Sequence, residues 1–247
     1  MDLKLAGKTA LITGASKGIG GAAAEMLAAE GCHLVLVART AGDLARAKES
    51  IARKANVSVE TVPADLSDSA NVTRLAREFP DIDILVNNAG AIPGGKLLDI
   101  DEATWRSAWD LKVFGYINMC RAFYALMKAR HAGVIINVVG NAAQTHDPDY
   151  ICGVTGNAAL TAFTQSLGSV EAGARAHRGF LGIGAASGHQ EHRSPAPGWP
   201  RTRGGDDRPS AGRLLDLSHN QGLVHRFLGT DHFRRIHVIH DGLYPGF

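Results

Sequence analysis

The 247-residue sequence has only three cysteines, Cys32, Cys120 and Cys152, and no CxxC spacing. An odd, unpatterned set excludes a disulfide framework and fits a reducing compartment. No apolar run approaches the roughly 20 residues needed to span a bilayer. The opening MDLKLAGKTALITG has no long apolar segment behind a basic one, so no signal peptide is expected and the chain reads as cytoplasmic. No charge of one sign dominates. A net charge of +2 gives no reason to expect a nucleic-acid or membrane partner. Lysine disappears after Lys128, while ten arginines and eight histidines fall in the last 77 residues. Residues 188–213 are rich in Gly, Pro, Arg and Ser without an apolar period and read as irregular. One hypothesis for this shift is a tail translated partly out of frame. Regular structure is expected to resume as a helix at Leu214–Leu228 and a strand at Ile236–Ile239.

What is present is an alternation of short apolar runs and amphipathic segments. Strands are predicted at Thr9–Thr13, His33–Val37, Val57–Val62, Ile82–Val86 and Val134–Val139. Helices are predicted at Gly18–Glu30, around Asp43–Lys54, Ser69–Glu78, as one long element from about Ala103 to Arg130, and from about Tyr150 to Leu167. Strands bounded by helices and lacking polar alternation imply a parallel sheet covered on both faces.

The loop Thr13-Gly14-Ala15-Ser16-Lys17-Gly18-Ile19-Gly20 joins the first strand to the first helix. Its glycines permit a tight turn and close backbone approach, and the helix N-terminus offers N–H groups to a pyrophosphate. TGASKGIG resembles the TGxxxGxG fingerprint of the short-chain dehydrogenase/reductase family. Asn87-Asn88-Ala89-Gly90 resembles the NNAG motif of that family, and Asp65-Leu66 its adenine-contacting pair. The resemblance covers about residues 5–170 and is that of a divergent member. It implies an α/β, doubly wound, mostly parallel, three-layer Rossmann-like sheet in a single domain over 1–247, with an atypical C-terminal third. It also implies a bound nicotinamide dinucleotide, a small-molecule substrate and a homo-oligomer, dimer or tetramer. Cofactor contacts are expected from Gly14, Ser16, Lys17, Gly18, Ile19, Gly20, Arg39, Asp65, Leu66, Asn88, Ala89 and Gly90. The second strand ends in LVLVART, with Arg39 where an NAD binder carries an acid, and Lys17 adds a second cation. Two cations at the adenosine ribose suit a 2′-phosphate, which favours NADP(H) over NAD(H).

The family's chemistry rests on a tyrosine, a lysine four residues later, a serine, and an asparagine on the preceding helix. Tyr150 falls at the tyrosine position, but Val154 stands where the lysine belongs. The serine position falls at Gly140 or Asn141, and the asparagine position is Lys112. Lys112 could carry an ammonium into the space that Val154 leaves, the alternative being a solvated helix residue. His146 is a second candidate for proton transfer. Tyr124–Lys128 satisfies YxxxK as a string but lies on the helix before the fifth strand. The expectation is an NADP(H)-dependent oxidoreductase moving a hydride to or from a small carbonyl or alcohol with an incomplete catalytic set. The alternative is a dinucleotide-binding regulatory protein with little turnover. No metal site is expected at His189-Gln190-Glu191-His192, and no Pro-Gly pair marks a substrate lid after Phe180–Ala185.

Overall fold

The computed structural model describes residues 3–171, 181–182 and 234–241. The helix expected at Leu214–Leu228, the 188–213 stretch and most of Phe180–Ala185 lie outside these described residues. The elements run β1 (Thr9–Thr13), α1 (Gly18–Ala29), β2 (His33–Ala38), α2 (Ala41–Ala52), β3 (Val59–Pro63), α3 (Ser69–Glu78) and β4 (Ile84–Asn87). After them come α4 (Glu102–Trp109), a π-helical turn (Asp110–Phe114), α5 (Gly115–Ala129), β5 (Gly133–Gly140), α6 (Ala142–Thr145), α7 (Ile151–Glu171), β6 (Leu181–Gly182) and β7 (Arg234–Asp241). The expected single helix from Ala103 to Arg130 is therefore two helices joined through a wider turn.

The strands form one sheet in the order β3-β2-β1-β4-β5-β7-β6, with every pairing parallel. Alternate strand residues feed two separate cores. Ile12, Leu34, Leu36, Ile84, Val86 and Ile136 pack with Ala24, Leu27 and Ala28 of α1 and with Leu44 and Ile51 of α2. Leu11, Val35, Val37, Leu85 and Ile135 face the other way, onto Val72 and Leu75 of α3 and Met119, Cys120 and Phe123 of α5. This two-sided burial is what unbroken apolar strands require. The small residues of α1 let it lie close against the sheet, with Gly20, Ala24 and Ala28 buried. The starts of α3 and α4 are capped by acids: Asp68 accepts from Ala70 N–H at 2.9 Å and Asp101 from Thr104 N–H at 2.7 Å. Among the described residues, no helix is long and apolar enough to cross a membrane.

All three cysteines are free and buried. Burial pushes the Cys120 thiol up to about 12 and, helped by the Asp83 and Glu30 charges, the Cys32 thiol up to about 11. A folded-state pKa above the unfolded one stabilises the protein fully below the unfolded value, and that contribution is lost as pH rises toward the folded one. Urea midpoints are therefore expected to fall between about pH 9 and 12. A thiol reagent at pH 8 should label none of the three until urea is added.

Candidate functional site

Strand order reverses between β1 and β4, and the crevice beyond the carboxyl ends of such strands is where α/β sheets bind ligands. A cleft of about 440 Å³ opens there, within the size range of small-molecule sites. One end is built by the β1–α1 loop, whose Gly14 and Gly18 sit at φ +65° and +60°, where an L side chain is strained. Lys17, the N-cap of α1, gives no side-chain cap, so the first-turn amide protons are left for an acceptor.

The NNAG segment is strapped to this loop. The Thr13 hydroxyl donates to the Val86 carbonyl and accepts from the N–H groups of Asn88 (2.8 Å) and Ala89 (3.0 Å). Asn88 Nδ2 donates to the carbonyls of Thr13 (3.1 Å) and Gly14 (3.2 Å). The close fit needs Gly20: a Cβ there would lie 2.3 Å from the Gly14 carbonyl oxygen and 2.4 Å from Asn88 Nδ2.

Of the residues expected to contact a cofactor, Gly14, Ser16, Lys17, Ile19, Arg39, Leu66, Asn88, Ala89 and Gly90 line the cleft. Gly18, Gly20 and Asp65 do not. The two glycines shape the turn, and the Asp65 carboxylate turns to Ser67, accepting from its N–H and hydroxyl at 3.0 and 2.8 Å. Those bonds hold its pKa below the usual carboxylate value, with a smaller contribution from Arg39. Lys17 and Arg39 are exposed on the rim. Asp43 also lines the cleft, an acid the sequence reading had not placed there, but its carboxylate pairs with Arg46.

The far end holds Lys112, Gly140, Tyr150 and Asn157. Lys112 is not a solvated helix residue. Carried by the π-helical turn, its stem lies against Gly90, where a Cβ would meet Lys112 Cδ at 2.3 Å. Its ammonium donates to the Tyr116 hydroxyl (2.9 Å) and the Val138 carbonyl (3.0 Å), and Tyr116 also donates to Val138 (3.0 Å). The buried Tyr116 thus fixes the ammonium from below, a residue that its spacing of four from Lys112 could have flagged.

Tyr150 opens α7 and is half-buried. Its backbone bridges to Gly95, whose N–H donates to the Asp149 carbonyl at 2.6 Å. Its ring folds back over Gly153, where a Cβ would lie 1.9 Å from Tyr150 Cζ. Replacing a helical glycine with alanine ordinarily gains about 1 kcal/mol. Here Gly153→Ala is expected instead to lower the calorimetric unfolding midpoint, because the methyl displaces the ring.

Val154 is buried and does not line the cleft. The cleft-facing side chain of α7 beyond Tyr150 is Asn157, two helical turns on, which sequence reasoning missed. Between the two candidates for the serine position, the structure puts Gly140 in the cleft and leaves Asn141 outside it, at the N-cap of α6. His146 is exposed and outside the lining. Tyr124 and Lys128 stack on each other, Nζ 5.6 Å from the ring centroid, also away from the cleft.

Residues 8–175 match the family model described as short chain dehydrogenase. The chain is 34% identical over 166 residues to the 2,3-dihydro-2,3-dihydroxybenzoate dehydrogenase of Bacillus subtilis, a match spanning 66% of this chain and 63% of that one. Among solved structures it is similar to the L-sorbose reductase of Gluconobacter frateurii complexed with NADPH and L-sorbose. That similarity has a TM-score of 0.64 at 34% identity, covering 69% of this chain and 66% of the reductase. A short chain dehydrogenase/reductase from Burkholderia phymatum in complex with NAD is also similar, with a TM-score of 0.64 at 31% identity, covering 67% and 60% of the two chains.

Proposed function

The chain belongs to the short chain dehydrogenase family, and from that premise we propose that it is an NADP(H)-dependent oxidoreductase acting on a small carbonyl or alcohol. Tyr150 is the proton donor or acceptor in this reading, and Lys112 supplies the ammonium that assists it. The observation that carries the reading is the inward course of Lys112, which lines the same cleft as Tyr150 and has its ammonium anchored on Tyr116 and Val138.

The cleft suits a dinucleotide. The open first turn of α1 with Ser16 would receive the pyrophosphate, Leu66 and Ala89 the adenine end, and Gly90 and Lys112 the nicotinamide end. Similar proteins carry either NADPH or NAD, so the preference for NADP(H) rests on charge. Lys17 and Arg39 stand on the rim; Asp43, which also lines the cleft, is engaged by Arg46, and the Asp65 carboxylate near Arg39 is turned to Ser67. When bound, the nicotinamide would supply or take up the hydride. The chain's own part is to hold the substrate oxygen and move one proton. A phenol ordinarily ionises near pH 10, and a nearby ammonium favours the phenolate and lowers that value. A homo-oligomer, dimer or tetramer, is part of the same proposal and rests on the family resemblance alone.

The test is turnover of NADPH with a panel including L-sorbose and a cyclic ketone, repeated with Tyr150→Phe. The variant is expected to lose about 10²- to 10⁴-fold in kcat while keeping its NADPH affinity. Nucleotide binding without Tyr150-dependent turnover would favour a regulatory dinucleotide-binding protein.

A further inference from the structure

Gly140 brings no side chain to the end of β5, where the family resemblance places a serine that orients the substrate oxygen. We infer that Asn157 supplies the missing donor: its carboxamide N–H binds the substrate oxygen in the reaction proposed above, on which this inference rests.

The orientation of the amide follows from its partner. The Gly140 backbone N–H donates to Asn157 at 2.9 Å, and only the carboxamide oxygen can accept it. Nδ2 must then lie on the other branch. That nitrogen sits 2.6 Å from where a Cβ on Gly140 would stand, so it occupies the seat a serine side chain would take. Asn157 is 2% exposed overall, yet it lines the cleft. Among the described residues, nothing accepts a bond from Nδ2, and this atom is not among the sealed, unsatisfied polar atoms of the core. An amide N–H that is otherwise buried but opens on a cleft is a donor awaiting an acceptor. Asn157 is held rigidly, since its helix is locked to β5 through the Gly140 bond and through Asn137 Nδ2, which donates to the Thr164 hydroxyl at 2.9 Å. Fixed donors aimed at an oxygen that gains negative charge are worth more than mobile ones, because no reorganisation accompanies the reaction. The donor is also neutral, so its contribution is independent of pH across the working range.

The experiment uses the full chain with NADPH and whichever panel ketone the wild type reduces fastest. Three variants are compared: Asn157→Asp, Gly140→Ser, and Gly140→Ser combined with Asn157→Ala. Nucleotide dissociation constants are measured alongside by NADPH fluorescence. Asn157→Asp keeps the acceptor for Gly140 N–H but offers no donor, and it is expected to lower kcat about 10²- to 10³-fold with NADPH affinity changed by less than about threefold. Gly140→Ser alone is expected to be impaired because its Cβ collides with Nδ2. The double variant, with the seat vacated and a hydroxyl in it, is expected to recover at least about tenfold over Asn157→Asp. A purely structural role for Asn157 predicts no such recovery. The inference is overturned if Asn157→Asp turns over within about threefold of wild type, if kcat stays up while NADPH affinity falls, or if the double variant shows no recovery. Absence of turnover in the wild type is a separate result, and it removes the oxidoreductase reading together with this one.

Discussion

Alanine at position 20 is expected to lower the unfolding midpoint and to abolish tight nucleotide binding, whereas alanine at position 21, the next residue, is expected to do neither. The contrast follows from what each added methyl meets. At Gly20 a Cβ would stand 2.3 Å from the Gly14 carbonyl oxygen, which is backbone and cannot swing aside, and 2.4 Å from Asn88 Nδ2. Overpacking of this kind costs about 1–3 kcal/mol or more. In a domain of this size each kilocalorie moves the midpoint by about 2–4 °C. The disturbed atoms also shape the turn that presents the α1 amides, so NADPH affinity should fall by more than about tenfold, each tenfold being about 1.4 kcal/mol. At Gly21 the nearest atoms are the Ala15 carbonyl oxygen at 3.6 Å and the Ser16 carbonyl carbon at 3.8 Å, ordinary contacts. Gly21→Ala should therefore stabilise α1 by up to about 1 kcal/mol through helix propensity. Calorimetry and NADPH fluorescence on the two variants decide the matter, and equal midpoints would contradict this account of the loop.

Removing the ammonium should have the largest effect on catalysis. Lys112→Met is expected to lower kcat by about 10²- to 10⁴-fold, the span that a well-matched proton transfer contributes. The pH profile carries the more specific signature. Alcohol oxidation needs the phenolate, and on the proposed reading the Lys112 ammonium is what favours it over the phenol. The rising limb of kcat against pH should then move to higher pH, the reverse of what loss of an acidic neighbour would do. Lys112→Arg should keep part of the rate, since the charge stays but the fork cannot reproduce both bonds to Tyr116 and Val138. An unshifted limb in Lys112→Met would show that this ammonium does not act on the titrating group.

The fold was legible because the central strands are uninterrupted apolar runs. β1 matches its expected span of Thr9–Thr13, while the expected Val57–Val62 and Ile82–Val86 emerge one or two residues later as Val59–Pro63 and Ile84–Asn87. The strand expected at Ile236–Ile239 lies within β7. The tight turn of the β1–α1 loop was legible for a related reason, since glycine spacing records backbone constraints directly. The far end of the cleft was not. Helix α7 mixes apolar and small residues on every side, ICGVTGNAALTAF, so no stripe marks which face meets the cleft. Counting four residues on from Tyr150 leads to Val154, which faces the core, while the cleft receives Asn157. Gly153 could not announce itself either, because its role lies in the ring that covers it. Likewise nothing in WDLKVFGYIN signals a wider turn, since the apolar period runs on through it and a π bulge is set by tertiary packing.

That wider turn bears on how the lineage can drift. Segments such as Asp110–Phe114 accommodate one more residue than a regular helix would. A single-codon deletion there could be absorbed by tightening the coil, so both flanking helices would keep their packing and the protein would still fold. The side chains of the turn itself would, however, be redirected, and Lys112, which it carries, would leave its seat against Gly90. Descendants could thus lose the inward placement of Lys112 in one mutational step while retaining a sound architecture.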